Sequence, residues 1–384
     1  MLTVPTFTGP LDRNVTEEII LVQAAEDAPI YAALVGQGLT DETGNQKVEW
    51  YTDQHSVRTT AIDNGSTPYD ETDTTLVVDS SAPFFEGCLI RADATGEIMY
   101  CVSVTNGTTI VVRRGVGGVV AAAAASVANN AVLRNLGPAA GEGRTMYAHR
   151  ASNPAAEYNF LQTFRKTVEM SGRMLNEATL TENEQARLRK VKFEELIRDF
   201  EHALVFGARD NDTTDVNGKV VTTMGGLWQH ITTNVDNVGG TMTKARMVSG
   251  LEPFFQFGSM EKWAFCGQLW LQTANSLFDS QLRLAQSDRV AGLQIQQLML
   301  PSGGKLNLVL DRTLSAPLTG AAIVVDMAQA ELVFARGERG RPRLKPIALT
   351  DGADAQAEEW FAEFTLRWGS EKFHGIQKGV TGAA

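Results

Sequence analysis

Cysteine is scarce in this chain: 3 in 384 residues, at Cys88, Cys101 and Cys266. An odd number with no metal-ligand spacing argues against a disulfide framework and for reduced, cytosolic thiols. Histidine is scarce too. The 5 residues, His55, His149, His202, His230 and His374, are scattered, and none belongs to an H-E-x-x-H or other metal-spaced cluster. Basic charge is outnumbered, 34 Lys and Arg against 45 Asp and Glu, for a net charge of −11. A dedicated nucleic-acid binder needs a basic field to neutralise phosphates, so that class is disfavoured. Long apolar runs are missing: Val116 to Ala128 is too short and too rich in Ala and Gly to span a bilayer. The opening MLTVPTFTGPLDRNV has no basic region followed by an apolar one, so no signal peptide is expected. A soluble protein made in a cytoplasm is the expectation.

What is present points to an α+β protein of two or three structural units, because 384 residues exceed one ordinary core. Gly outnumbers Pro, 35 to 12, as in a turn-rich chain. A helical stretch is predicted over Glu17 to Ala25, broken or restarted at Pro29. Residues 47–62 alternate loosely as an exposed strand, and Asp63 to Asp73 reads as a junction of turn residues. From Thr74 to Arg134, short β-branched runs recur at Leu76–Val78, Cys88–Ile90, Ile98–Val102 and Thr109–Val112. Gly and Asn turns separate them, the pattern of a small all-β barrel or sandwich. The Asn-x-Ser/Thr triplets at Asn14, Asn64, Asn106 and Asn211 read as turns rather than glycan acceptors.

Further on, Phe160, Gln162, Phe164, Lys166 and Val168 share one face of a strand at period two. Thr181 to Phe206 is predicted as a long helix. Thr181 with Glu184 forms a capping box, Phe193, Ile197, Phe200 and Leu204 make the apolar stripe beside Leu196, Glu194 faces Arg198, and Gly207 ends it. Helices are expected at Thr243–Phe255 and Gly267–Leu284. Strands are expected at Leu293–Leu300, Leu306–Leu310, Ala321–Val325, Leu332–Phe334 and along Trp360–Trp368. Arg336 to Lys345 reads as a basic loop that touches either phosphate or an acidic neighbouring subunit.

A search for chemistry returns little. There is no G-x-S-x-G elbow or Walker loop, and Gly115-Val-Gly-Gly lacks the third glycine of a dinucleotide site. The Asp210–Gly218 loop fails as a calcium site, since Asp215 stands where the turn glycine belongs. Glu358 and Glu359, adjacent on a strand, point to opposite faces and make a poor dyad. His202 reads as a packed or surface residue. No catalytic, cofactor or metal residue is assigned, and an enzyme is not indicated.

The order of parts resembles the major capsid proteins of tailed bacteriophages with the Hong Kong 97-type fold. Ala25–Gly36 is similar to the end of that family's N-terminal arm, Val48-Glu-Trp-Tyr-Thr-Asp to the first strand of its extended loop, and Asn159–Gly172 to the returning strand. Phe193–Gly207 resembles the spine helix, followed by Met224-Gly-Gly-Leu-Trp, and Glu363–Gly369 with His374-Gly-Ile resembles the last strand. The resemblance implies an N-terminal arm (1–45), extended-loop strands (46–71 and 138–178) and an inserted β-domain (72–137). It further implies a spine helix and peripheral domain (179–235), an axial domain (236–345) and a closing strand (346–384). By position, Trp50, Tyr51, Phe164, Arg165, Lys166, Arg339, Arg341 and Arg343 are the expected inter-subunit contacts.

The implied function is self-assembly into hexamers and pentamers of an icosahedral shell that encloses double-stranded DNA without reading its sequence. The implied partners are neighbouring subunits and separate scaffolding, cement or decoration, and portal proteins, with no membrane. The implied location is the virion capsid, assembled in the host bacterial cytoplasm. Some relatives lock the shell by a Lys–Asn isopeptide bond, for which Lys47 or Lys166 with Asn234 or Asn237 would serve; surface lysines and turn asparagines are the plainer account. Other readings are an encapsulin-like nanocompartment, a phage tail protein, and a hydrolase with dispersed residues. A hydrolase would show a deep pocket with convergent polar groups.

Overall fold

The computed structural model describes residues 27–53, 57–65, 67–117, 125–139, 141–142, 154–172, 184–278, 283–284, 295–337, 340–349 and 354–384. They divide into two compact units, one from the described residues of Met1–Trp50 and Ala156–Ala384, the other from Tyr51–Ala155. The helix expected over Glu17–Ala25 and the Thr181 cap lie outside the described residues.

The chain enters the first unit at helix α1 (Pro29–Gly36), with Pro29 in the first turn, where its missing N–H costs nothing. Strands β1 (Thr40–Thr43) and β2 (Lys47–Thr52) follow. The second unit then holds β3 (Thr59–Ala61), β4 (Thr75–Val77), β5 (Cys88–Ala92), β6 (Ile98–Val104), β7 (Thr109–Arg113) and β8 (Val132–Pro138). Its sheet order is β3-β8-β5-β6-β7-β4, all antiparallel. Beyond the edge strands, Asp63 N–H donates to the Val77 carbonyl (3.1 Å) and Asp79 N–H to that of Ala61 (3.0 Å), so the sheet curls back on itself. Ile62, Leu76, Ile90, Met99, Ile110 and Leu133 fill its centre. Cys88 and Cys101 are buried thiols outside any disulfide, and the neighbouring Cys88 together with burial pushes the Cys101 thiol up.

One ion pair organises the second unit. Arg114 donates Nε and Nη2 to the two oxygens of buried Glu97 (2.7 and 2.8 Å) and Nη1 to the Asp70 carbonyl (2.8 Å). The same carboxylate accepts the N–H groups of Gly115 and Ala125, both at 3.2 Å. Asn106 behaves as the turn residue expected of it, accepting from the Thr108 and Thr109 N–H groups.

Back in the first unit come β9 (Ala155–Phe160), which pairs with β2, and β10 (Gln162–Ser171). Next are α2 (Glu184–Phe206), α3 (Leu227–His230), β11 (Val235–Met242), α4 (Lys244–Leu251) with a 3-10 turn over Glu252–Phe255, β12 (Glu261–Cys266) and α5 (Gln268–Leu277). Helix α5 stops at Leu277, and Arg283–Leu284 forms the short strand β13, so the helix expected to Leu284 ends early. Strands β14 (Gln296–Met299), β15 (Lys305–Leu310), β16 (Ala322–Val325), β17 (Glu331–Ala335), β18 (Arg343–Ile347), β19 (Ala355–Arg367) and β20 (Gly375–Ala383) complete it.

Two larger sheets result. One runs β1-β17-β19-β10, with β18 also on β19; the other runs β11-β20-β16-β12-β15-β14-β13. Helix α2 lies on the first sheet through the stripe read from sequence: Leu196, Ile197, Phe200 and Leu204 are buried. Phe164, Phe200 and Phe364 meet with ring centroids 4.8–5.0 Å apart, and Tyr31 and Phe334 close the cluster. Trp360 Nε1 donates to the Arg189 carbonyl at 2.9 Å, fixing the helix's other half. The second sheet holds α4 and α5 through a polar chain. Trp270 Nε1 donates to Gln377 (2.8 Å), whose amide donates to Asp236 (2.9 Å), which pairs with Arg246.

Candidate assembly surface

The face of β10 and β19 turned away from α2 carries an organised cluster of charge. Antiparallel register sets Arg165 opposite Phe361 and Thr167 opposite Glu359. Arg165 (3.0 Å) and Lys345 (2.5 Å) both bind the Glu359 carboxylate, and both cations lie over the Phe361 ring. Burial works to raise the Glu359 carboxyl, and the two cations outweigh it and hold it below the usual carboxylate range. Its neighbour Glu358 turns to the other face and takes Arg189 in two bonds of 2.6 Å. The opposite orientation expected of the two glutamates holds.

The residues expected as contacts are differently placed. Tyr51 is exposed. Trp50 is half-buried, its Nε1 donating to the Gly369 carbonyl (2.7 Å) and its ring edge-on to Trp368 (4.7 Å). Phe164 is buried among Phe200 and Phe364, so a neighbour cannot reach it; period two sent it inward, and that expectation is corrected. Lys166 pairs with Asp199 of α2 at 2.7 Å, while Arg165 points outward. Arg341 lies over Phe334 (5.8 Å). Arg343 and Lys345 belong to strand β18, not to a loop, since β19 offers them a pairing edge. Arg339 lies outside the described residues. Arg198 does not face Glu194 as its main partner: it reaches Asp27 at 2.9 Å. Of the crosslink candidates, Lys47 pairs with Glu49 and lies over Tyr158, and the Asn234 amide donates to the Lys372 and His374 carbonyls (3.0 and 2.9 Å).

Among the buried ionisable groups that the sequence reading missed are Lys262 and Glu201. Lys262 is wholly buried; Nζ donates to the Phe257 and Phe373 carbonyls (3.0 and 2.5 Å) and stands 3.6 Å from Asp326. Burial lowers its ammonium against the pull of Asp326. Gly258, at φ +79°, makes this possible, for a Cβ there would sit 2.3 Å from Asp326 Oδ2. Beside it, His374 Nδ1 accepts the Asp326 N–H (3.2 Å), so Nε2 carries the proton to the Trp368 carbonyl (2.6 Å). Burial depresses this imidazole to about 4. The second group is Glu201 on α2, which accepts the Ile30 and Tyr31 N–H groups (2.8 and 3.1 Å) at the start of α1. Burial and the charge of Asp311 push its carboxyl well above the usual range. Asp27, just before α1, bonds to Arg198 and Arg312 (2.9 and 3.0 Å). These groups fasten one element to another.

The concavities are modest. One of about 310 Å³ is lined by Gln37, Ser259, Glu261, Trp263 and Asp326, among others. Several of its polar groups are committed: Ser259 Oγ accepts the Glu261 N–H, and Glu261 binds Lys305 and Asn307. Among the described residues, no group of three His, Cys, Asp or Glu could hold a metal, and no helix is long and apolar enough to cross a membrane. What this surface offers is charge, strand edge and scattered apolar side chains, the chemistry of contact between proteins.

Comparison with known structures returns proteins at low identity. A chain of Mycobacterium phage Cain is 10% identical, with 95% of this chain and 97% of that one covered, at a TM-score of 0.45. One of Mycobacterium phage Bobi is 9% identical over 89% of each chain at 0.43. The SrpI encapsulin of Synechococcus elongatus is 8% identical over 61% of this chain and 80% of its own at 0.44. No curated protein sequence matches. The family model described as SU10 major capsid protein matches residues 3–381. Spanned by that model almost from end to end, the chain belongs to the SU10 major capsid protein family and is a capsid shell protein.

Proposed function

We propose that this chain is the major head protein of a tailed phage and builds an icosahedral shell of hexamers and pentamers around double-stranded DNA. The observation that carries the reading is the family match over residues 3–381. The proposed architecture is the Hong Kong 97-type fold: an arm ending near residue 45, extended-loop strands at β2 and β9–β10, and α2 as spine helix. The sheet around β12 is the axial domain, and the curled sheet of Tyr51–Ala155 is a domain inserted in the extended loop. The −11 net charge supports a container role, because it keeps the wall from adhering to packaged phosphate. Scaffolding, cement and portal proteins are the partners of this reading, and the host bacterial cytoplasm is the place of assembly.

Sedimentation velocity of the purified chain, alone and with its scaffolding partner, tests the proposal. Species of megadalton mass are expected. A single boundary at the mass of one 41.6 kDa chain under both conditions contradicts it.

A further inference from the structure

Strand β10 ends its sheet: over ten residues it is paired to β19 in unbroken register, and among the described residues no strand lies on its other side. Such an edge carries a row of outward N–H and C=O groups, which native proteins blunt with short length, bulges, proline or charged side chains. Among the described residues, two other open edges are blunted in those ways. β11 has register shifts between Asn237 and Thr241 and a glycine at φ +64°, and β1 has four residues. β10 is ten residues long with no proline and no bulge, and the charges on its exposed face, Arg165 and Glu169, are of opposite sign.

Its exposed face reads Arg165, Thr167, Glu169, and this row is complementary to itself. If a second β10 lies antiparallel with Thr167 facing Thr167 across a twofold axis, Arg165 of each copy stands opposite Glu169 of the other. Both ion pairs then form at once, as an isologous contact requires. A slip of one residue sets Arg165 opposite Val168 or Met170 and loses both pairs. The present partner of Arg165 does not forbid this, since Glu359 keeps Lys345 when Arg165 turns.

We propose that β10 is a twofold contact between two copies of this chain, joined by edge-to-edge antiparallel pairing centred on Thr167. The proposal rests on the shell reading and names one of its interfaces. Two sheets become one across the contact, so main-chain bonds give strength and the Arg165–Glu169 pairs set the register.

Thr167→Cys tests it, because directly opposed residues of an antiparallel pair have Cα atoms about 4.5–5.5 Å apart, within disulfide range. The native thiols Cys88, Cys101 and Cys266 are buried, so background linkage is low. Under mild oxidation, a dimer band is expected on a non-reducing gel. Thr163→Cys gives none, as its mate lies about 27 Å away. Adding Glu169→Lys to Thr167→Cys lowers the dimer yield roughly fivefold, by setting cation against cation twice. Thr167→Cys chains that stay monomeric on the gel overturn the proposal, and so does a dimer yield equal to that of Thr163→Cys. The same samples viewed by electron microscopy separate the two ideas: particles without the crosslink leave the shell reading standing and remove this contact.

Discussion

His374 is one of five scattered histidines in the sequence, and only the fold shows why its ring stays neutral. Its imidazole is wedged between the Asp326 N–H and the Trp368 carbonyl, and burial holds it near 4 instead of 6.5. The unfolded chain takes up a proton at this residue as pH falls through 6.5, while the folded chain resists until about 4. Stability from this group is therefore whole above pH 6.5 and is lost between 6.5 and 4, by about 3 kcal/mol. His374→Gln should remove that part of the acid slope in urea unfolding of the unassembled chain, leaving the slope due to His230, which burial also lowers to about 4. An unchanged slope would mean that His374 titrates normally. At this scale the sequence shows identity but not partnership. Glu201 bonds to residues 170 and 171 positions away, and Asn159 binds both Gly225 and Leu366. Nothing local announces either.

Elements are more legible, because burial of one face writes a period into the chain. Helix α2 could be read from Leu196, Ile197, Phe200 and Leu204, and all four are buried. Phe200→Ala should cost about 3–5 kcal/mol by opening a cavity between Tyr31, Phe164 and Phe364, read as a lowered urea midpoint. A change below 1 kcal/mol would show that the helix is not held there. In the second unit, Arg114→Ala leaves Glu97 buried without its cation, at a cost of about 3–5 kcal/mol. Hydrogen exchange should rise across β5–β7 while the β12 and β15 amides keep their protection; uniform loosening of both would contradict that locality. The sequence failed where turn residues sit inside strands. Gly137 and Pro138 hid β8, whose register on β5 shifts beside them, and Pro342 and Pro346 made β18 look like a loop. An edge position tolerates proline, since the N–H it lacks faces outward. Of two neighbours expected at a contact, Arg165 is exposed and Phe164 is core, as period two dictates.

For the whole molecule, the family follows from the order of parts, which a resemblance could carry even though no single motif does. The enclosing function has no catalytic signature to find. It lives in surfaces that are complete only when copies meet, and β10 is the surface proposed above for that contact. The central claim, that this chain assembles into a shell, is tested most directly by negative-stain electron microscopy of the expressed protein after size-exclusion chromatography. The account predicts closed shells, tubes or hexameric rings. A uniform population of compact monomers or dimers, with nothing larger at any salt concentration, would contradict it.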